Sequence, residues 1–242
     1  MGVPRIFCQD KISSGQRITL SKEASHHISG VLRMHPGETL ILFCGDNREF
    51  YATIVSTFKN SVVVDITAVD EVNRESSRAI HLAQGLSKGE RFEWVVQKAV
   101  ELGVVSITPF ISSRCAVRLK EDRLIKKQLQ WQAIATAACE QSGRNWVPTV
   151  HPVITYADYL QQCVCENRIV LDPLAKRTAG ELHFDEGDVA LLVGPEGGFT
   201  TEEIQQAQAV QFEALKLGPR TLRTETAAIV GLAVLQATAG DL

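Results

Sequence analysis

Leu191-Leu-Val-Gly-Pro-Glu-Gly-Gly-Phe199-Thr-Thr-Glu-Glu203 decides how this chain is read. The apolar run from Val189 to Val193 predicts a strand buried on both faces. It breaks into Gly194-Pro-Glu-Gly-Gly198, where the backbone turns sharply and no glycine side chain blocks a ligand. A helix follows at once, because Thr200 and Glu203 have the spacing of a capping box. Strand, glycine loop and helix start is how α/β proteins present backbone N–H groups to a small molecule. Phosphate is the usual guest of such a loop. Here Glu196, Glu202 and Glu203 would repel it, and the P-loop lysine is missing. A neutral or cationic cofactor suits the loop better.

The layout repeats downstream in Leu215-Lys-Leu-Gly218-Pro-Arg-Thr-Leu-Arg-Thr-Glu-Thr-Ala-Ala228. A short strand ends at a glycine, and the spacing predicts a helix capped by Thr224 with Glu225 in its first turn. Two such loops on neighbouring strands make one pocket. The pair resembles the 16S ribosomal RNA uracil-N3-methyltransferases, a branch of the knotted SPOUT class that uses S-adenosylmethionine. Pro4-Arg-Ile-Phe7, His26-His27 with Val31-Leu-Arg33, Lys88-Gly-Glu-Arg91 and Glu140-Gln-Ser-Gly-Arg144 resemble the same family, so the likeness covers nearly the whole chain.

Composition sets ordinary bounds. The chain has 242 residues, 45% of them apolar, which supports a real core. A net charge of −3 argues against a generally basic nucleic-acid binder, so RNA affinity must come from a local patch. The six cysteines are scattered without CxxC pairs, as expected of reduced thiols in a cytoplasmic protein, and no metal site is expected. The N-terminus lacks an apolar h-region, which predicts no signal peptide. The apolar run Ala227 to Ala237 is too short to span a membrane.

Character changes near residue 70. Short β-favouring runs (5–8, 16–20, 39–44, 49–58, 61–69), a helix from Ser21 to about Met34 and a Gly45-Asp-Asn47 turn predict a small barrel over residues 1–70. The resemblance implies that it is a PUA-like RNA-binding module. Residues 71–78 are polar and aperiodic, as in a linker. From 79 to 242 strands alternate with helices (strands 79–86, 106–111, 168–171, 188–193 and 214–217; helices 91–102, 121–139, 201–211 and 224–239), which predicts a mostly parallel α/β sheet. The trefoil knot is implied by the resemblance alone. The final helix is apolar nearly all round, hence buried on more than one side. Its relatives use such a helix to dimerise, so the resemblance implies a homodimer.

Site residues follow. Val193, Gly194, Pro195, Glu196, Gly197 and Gly198 of the first loop and Leu217, Gly218, Leu222 and Arg223 of the second are expected to cradle the cofactor. Leu171 and Asp172, at another strand end, form a third wall. The resemblance implies methyl transfer to uridine N3 in small-subunit RNA. Arg220 and Arg223 are candidates to clamp the uracil anion, since guanidinium groups stay charged and offer several donors. A structural salt bridge with Glu196 or Glu225 is the alternative for either. The proton acceptor stays open between Glu140, Glu196, Glu225 and water. Expected RNA contacts are Arg5, His26, His27, Arg33, Lys88, Arg91, Arg114, Arg118 and Arg144. A non-catalytic RNA-binding protein and a ribose 2′-oxygen methyltransferase are the rival functions. Intact glycines in both loops count against the first, and Leu222-Arg-Thr-Glu-Thr-Ala227 against the second.

Overall fold

The computed structural model describes residues 3–58, 61–117 and 120–242. Arg118 therefore lies outside the described residues. The chain divides into two compact units: residues 1–75 together with Cys139–Val147, and residues 76–138 together with 148–242.

In the first unit, β1 (Arg5–Phe7), β2 (Arg17–Thr19), β3 (Thr39–Phe43), β4 (Arg48–Phe58) and β5 (Ser61–Glu71) form a sheet in the order β1-β3-β4-β5-β2. β1 is parallel to β3 and the other pairings are antiparallel. Alternation along β4 and β5 turns Phe50, Ala52, Ile54, Val62, Val64 and Ile66 into one core. The β3–β4 turn has Gly45 at φ 84° and Asn47 at φ 59°, a conformation that favours Gly and Asn. The helix expected over 21–34 is shorter. α1 (Lys22–His26) is capped by Ser21, and residues His27–Val31 continue it as a π-helical turn. There Gly30 sits so close to the His26 ring that a Cβ would lie 3.0 Å from it.

The segment Cys139–Val147 packs within this first unit through charge. Arg5 Nη1 donates to Glu49 Oε1 at 2.6 Å, and Arg74 Nη1 donates to the same oxygen at 2.5 Å. Arg5 also donates to the Asn145 side chain, and Arg144 is paired with Glu75.

The second unit is a parallel sheet. Its strands are β6 (Ile80–Gly85), β7 (Ser106–Ile111), β8 (Thr149–Val150), β9 (Ile154–Thr155), β10 (Asn167–Leu171), β11 (Val189–Val193) and β12 (Glu213–Leu215). The order is β12-β10-β11-β6-β7-β8, with β9 also on β7. Every pairing is parallel. Its helices are α2 (Arg91–Glu101), α3 (Glu121–Ser142, whose last turn belongs to the first unit), α4 (Tyr156–Gln162), α5 (Thr201–Ala209) and α6 (Thr224–Ala239). All five residues of β11 are buried, which is why it reads as an unbroken apolar run. Ala190 and Leu192 pack with Phe110, Tyr156 and Phe212. On the opposite face, Leu191 meets α6 at Gly231, where an added Cβ would lie 3.0 Å from Leu191 and 3.1 Å from Leu171. Gly231 thus serves close helix-on-sheet packing. Because β10, β11 and β12 run parallel, their carboxyl ends open on the same edge of the sheet, where α/β proteins place their ligands.

Candidate active site

Both glycine loops leave that edge and enclose one cavity of about 620 Å³. This is within the ~300–1,000 Å³ typical of small-molecule sites. Every expected cofactor residue lines it: Leu171 and Asp172 at the end of β10, Val193 through Gly198 at the end of β11, and Leu217, Gly218, Leu222 and Arg223 before α6. Arg220, Arg91 and Arg114 join them. Phe199, Ile204, Leu215 and Ala227 add apolar wall.

The first loop is held from several sides. Gly198, at φ 65°, donates its N–H back to the Pro195 carbonyl at 2.9 Å, closing a tight turn. Below it, an added Cβ on Gly85 would lie 2.5 Å from the Pro195 nitrogen, so the end of β6 must be glycine for the loop to settle there. Arg114 Nη1 donates to the carbonyls of Phe199 at 3.1 Å and Gly197 at 3.3 Å. The Glu196 carboxylate accepts from the Lys88 N–H at 2.9 Å and from Arg91 Nη1 at 3.1 Å. The expected capping box is present: Thr200 accepts from the Glu203 N–H at 3.1 Å, and Glu203 accepts from the Thr200 N–H at 2.8 Å. The other Glu203 oxygen accepts from Ser113 N–H and Oγ, each at 2.9 Å. Phe199 stacks on Phe110 with planes 7° apart.

Thr224 differs from its expected role. Arg223 is the N-cap residue of α6 and makes no side-chain cap bond. The Thr224 hydroxyl instead donates to the Gly194 carbonyl at 2.5 Å and accepts from Gln84 Nε2 at 2.9 Å. Gln84 is wholly buried at the end of β6. No expectation singled it out, although one polar residue at the carboxyl end of a Leu-Ala-Gln-Gly strand is a usable signal.

Arg220 and Arg223 are exposed on the cavity wall, and among the described residues neither guanidinium has a salt-bridge or hydrogen-bond partner. The alternative of a salt bridge to Glu196 or Glu225 is not what forms, since Glu196 is engaged by Arg91 and Lys88.

Several expectations land elsewhere. Glu140 is not in the cavity wall. It lies in the first unit, where Oε1 accepts from the Phe7 N–H at 3.0 Å and Oε2 lies 3.7 Å from His27 Nδ1. Arg5 and Arg144 are not free to meet RNA. Their side chains are only 11% and 5% exposed, and each is held by a carboxylate of the first unit. A buried guanidinium needs such a partner. His26, Arg33 and Lys88 are exposed and His27 is half-buried.

The donor set fits S-adenosylmethionine. Leu171, Val193, Ile204, Leu215, Leu217 and Leu222 offer apolar surface to an adenine. The loop glycines leave backbone groups accessible, and Asp172, Glu196 and Glu225 favour a cation over a phosphate.

Comparison with known proteins agrees with this geometry. A family model described as an RNA methyltransferase domain matches residues 74–236, and one described as an RNA methyltransferase PUA domain matches residues 20–67. A methyltransferase from Legionella pneumophila, solved with bound S-adenosylmethionine, superposes with a TM-score of 0.97 at 46% identity over 100% of both chains. The ribosomal RNA small subunit methyltransferase E of Neisseria gonorrhoeae, bound to S-adenosylmethionine, gives 0.93 at 38% identity, again over 100% of both chains. The protein of that name from Buchnera aphidicola is 37% identical over 99% of this chain and 98% of its own. The class is thus RNA methyltransferase, with a PUA-like first unit and a SPOUT-type α/β second unit. Within that class the chain belongs to the small-subunit ribosomal RNA methyltransferase E family.

Proposed function

We propose that this protein transfers the methyl group of S-adenosylmethionine to N3 of a uridine in 16S ribosomal RNA, in the cytoplasm and as a homodimer. One observation carries the proposal: two glycine loops, leaving β11 and β12 on either side of β10 rather than from neighbouring strands, enclose a single cavity whose wall holds two arginines without a partner among the described residues. Supporting it are the family and the bound S-adenosylmethionine named for its relatives. Residues 1–70 supply RNA contact, 71–78 link, and 79–242 supply the cofactor site and the dimer contact. The half-buried Ile229, Val230 and Val234 of α6 are suited to the last. No helix among the described residues is long and apolar enough to cross a membrane.

When bound, S-adenosylmethionine supplies an electrophilic methyl group on a sulfonium. The chain's own residues do the rest. Backbone groups of Gly194–Gly198 and Leu217–Arg223 orient the cofactor, and most of the rate gain comes from that positioning. Arg223 and Arg220 donate to the uracil carbonyl oxygens, where charge gathers as the N3 proton leaves. Exposed Arg114, Lys88 and Arg91 near the cavity mouth meet the RNA backbone, while His26, His27 and Arg33 meet it from the first unit. The target base must be unstacked or already irregular to enter.

Calorimetric titration with S-adenosylhomocysteine tests the cofactor half. Binding is expected at one site per chain, and the absence of binding would leave a non-catalytic RNA-binding protein.

A further inference from the structure

Resting on the function just proposed, we infer that Glu225 is the base that removes the uridine N3 proton.

Three carboxylates line the cavity: Asp172, Glu196 and Glu225. Glu196 is tied down by the Lys88 N–H and by Arg91. Asp172 caps its own turn, accepting from the Leu174 N–H at 2.9 Å. Glu225 is different. Its Oε1 lies 4.0 Å from Arg91 Nε, beyond a hydrogen bond, and its Oε2 is buried with no hydrogen-bond partner among the described residues. A buried acceptor left without a donor is costly, and in native proteins such atoms are expected to find one. A ligand carrying an N–H is what would satisfy it. The uracil imide offers its reacting N–H to such an oxygen.

The neighbours suit this role. Glu225 opens α6 two residues after Arg223, so base and anion clamp come from one rigid element. Arg91 lies between Glu196 and Glu225, 3.1 Å from the first and 4.0 Å from the second, so one cation stands beside both carboxylates.

The step balances. Glu225 Oε2 takes the N3 proton as the N3 electron pair forms the new N–C bond. The C–S bond breaks with its pair remaining on sulfur, giving neutral S-adenosylhomocysteine. Glu225 ends as the carboxylic acid and returns its proton to water as product leaves.

The test uses the full-length protein on unmodified small subunits, in single turnovers at saturating cofactor from pH 6 to 10. Glu225→Gln should lower the rate at pH 7 by about 10²–10⁴-fold. S-adenosylhomocysteine affinity by calorimetry should stay within about threefold of wild type. The variant's rate should then climb about tenfold per pH unit as bulk hydroxide replaces the lost base, closing the gap near pH 10. Glu225→Asp should restore part of the rate at neutral pH. A wild-type rate for Glu225→Gln at pH 7 would overturn the inference. So would a loss that is the same at every pH, or a loss that follows weaker cofactor affinity. If the wild-type protein itself places no methyl on N3, the proposed function fails instead.

Discussion

The Thr224 hydroxyl donates to the Gly194 carbonyl at 2.5 Å, fastening the start of α6 to the start of the first glycine loop. Gln84 completes the tie from β6, donating to Thr224 at 2.9 Å and to Gly194 at 3.4 Å. The two loops that form the cavity are thus one mechanical unit. Thr224→Val keeps the shape and removes the donor. It should cost about 1–3 kcal/mol in chemical denaturation and weaken S-adenosylhomocysteine binding. Unchanged affinity would mean that the loops are positioned independently of this tie.

Gly197 is a second lever. A Cβ there would lie 2.9 Å from both the Cβ and the carbonyl oxygen of Arg114, so the crowding falls on the segment that follows β7 and not on open cavity. Gly197→Ala should push the loop away from Arg114 and reduce cofactor affinity in a folded protein, as read by calorimetry beside circular dichroism. Full affinity would show that the loop tolerates the shift.

Arg223 has no partner to lose among the described residues, so its removal should leave stability almost unchanged. If it steadies the uracil anion, Arg223→Ala should lower single-turnover methyl transfer by about 10²–10³-fold. Lys at the position keeps the charge without the planar fork and should give an intermediate rate. A wild-type rate in the alanine variant would remove Arg223 from the mechanism.

Glu49 is expected to contribute to the acid stability of the first unit. Burial by itself would push its carboxyl up, but hydrogen bonds from Arg74, Arg5 and Asn145 hold it below the ordinary glutamate value. A depressed folded-state pKa gives stability that is present above the unfolded value of about 4.3 and is lost as pH falls through the folded one. Glu49→Gln should therefore cost on the order of 3 kcal/mol at pH 7. The difference from wild type should shrink as pH drops below about 4. Urea denaturation at a series of pH values reads this directly, and a constant difference would refute it.

Much of the α/β unit was legible because buried parallel strands are continuous apolar runs. Ser106–Ile111 and the helix Thr224–Ala239 form where expected, and Val189–Val193 within one residue. The strands Thr149–Val150 and Ile154–Thr155 and the helix Tyr156–Gln162 were not, since so few residues carry no periodicity. Both glycine loops were legible as ligand loops, because glycine at a strand end has a specific physical use. The long-range pairings were not. Nothing local to Glu140 or Arg144 says that they pack with Phe7 and Glu75. Nor does Thr224, in a capping sequence, reveal that its hydroxyl reaches back to Gly194.

The identity of the methylated nucleoside is the decisive measurement. The full-length protein is given methyl-labelled S-adenosylmethionine and small ribosomal subunits from cells lacking the activity, and the RNA is then digested to nucleosides. Label is expected in N3-methyluridine from a single position of the 16S chain. Label on a ribose 2′-oxygen, or none transferred by a protein that binds the cofactor, would contradict it.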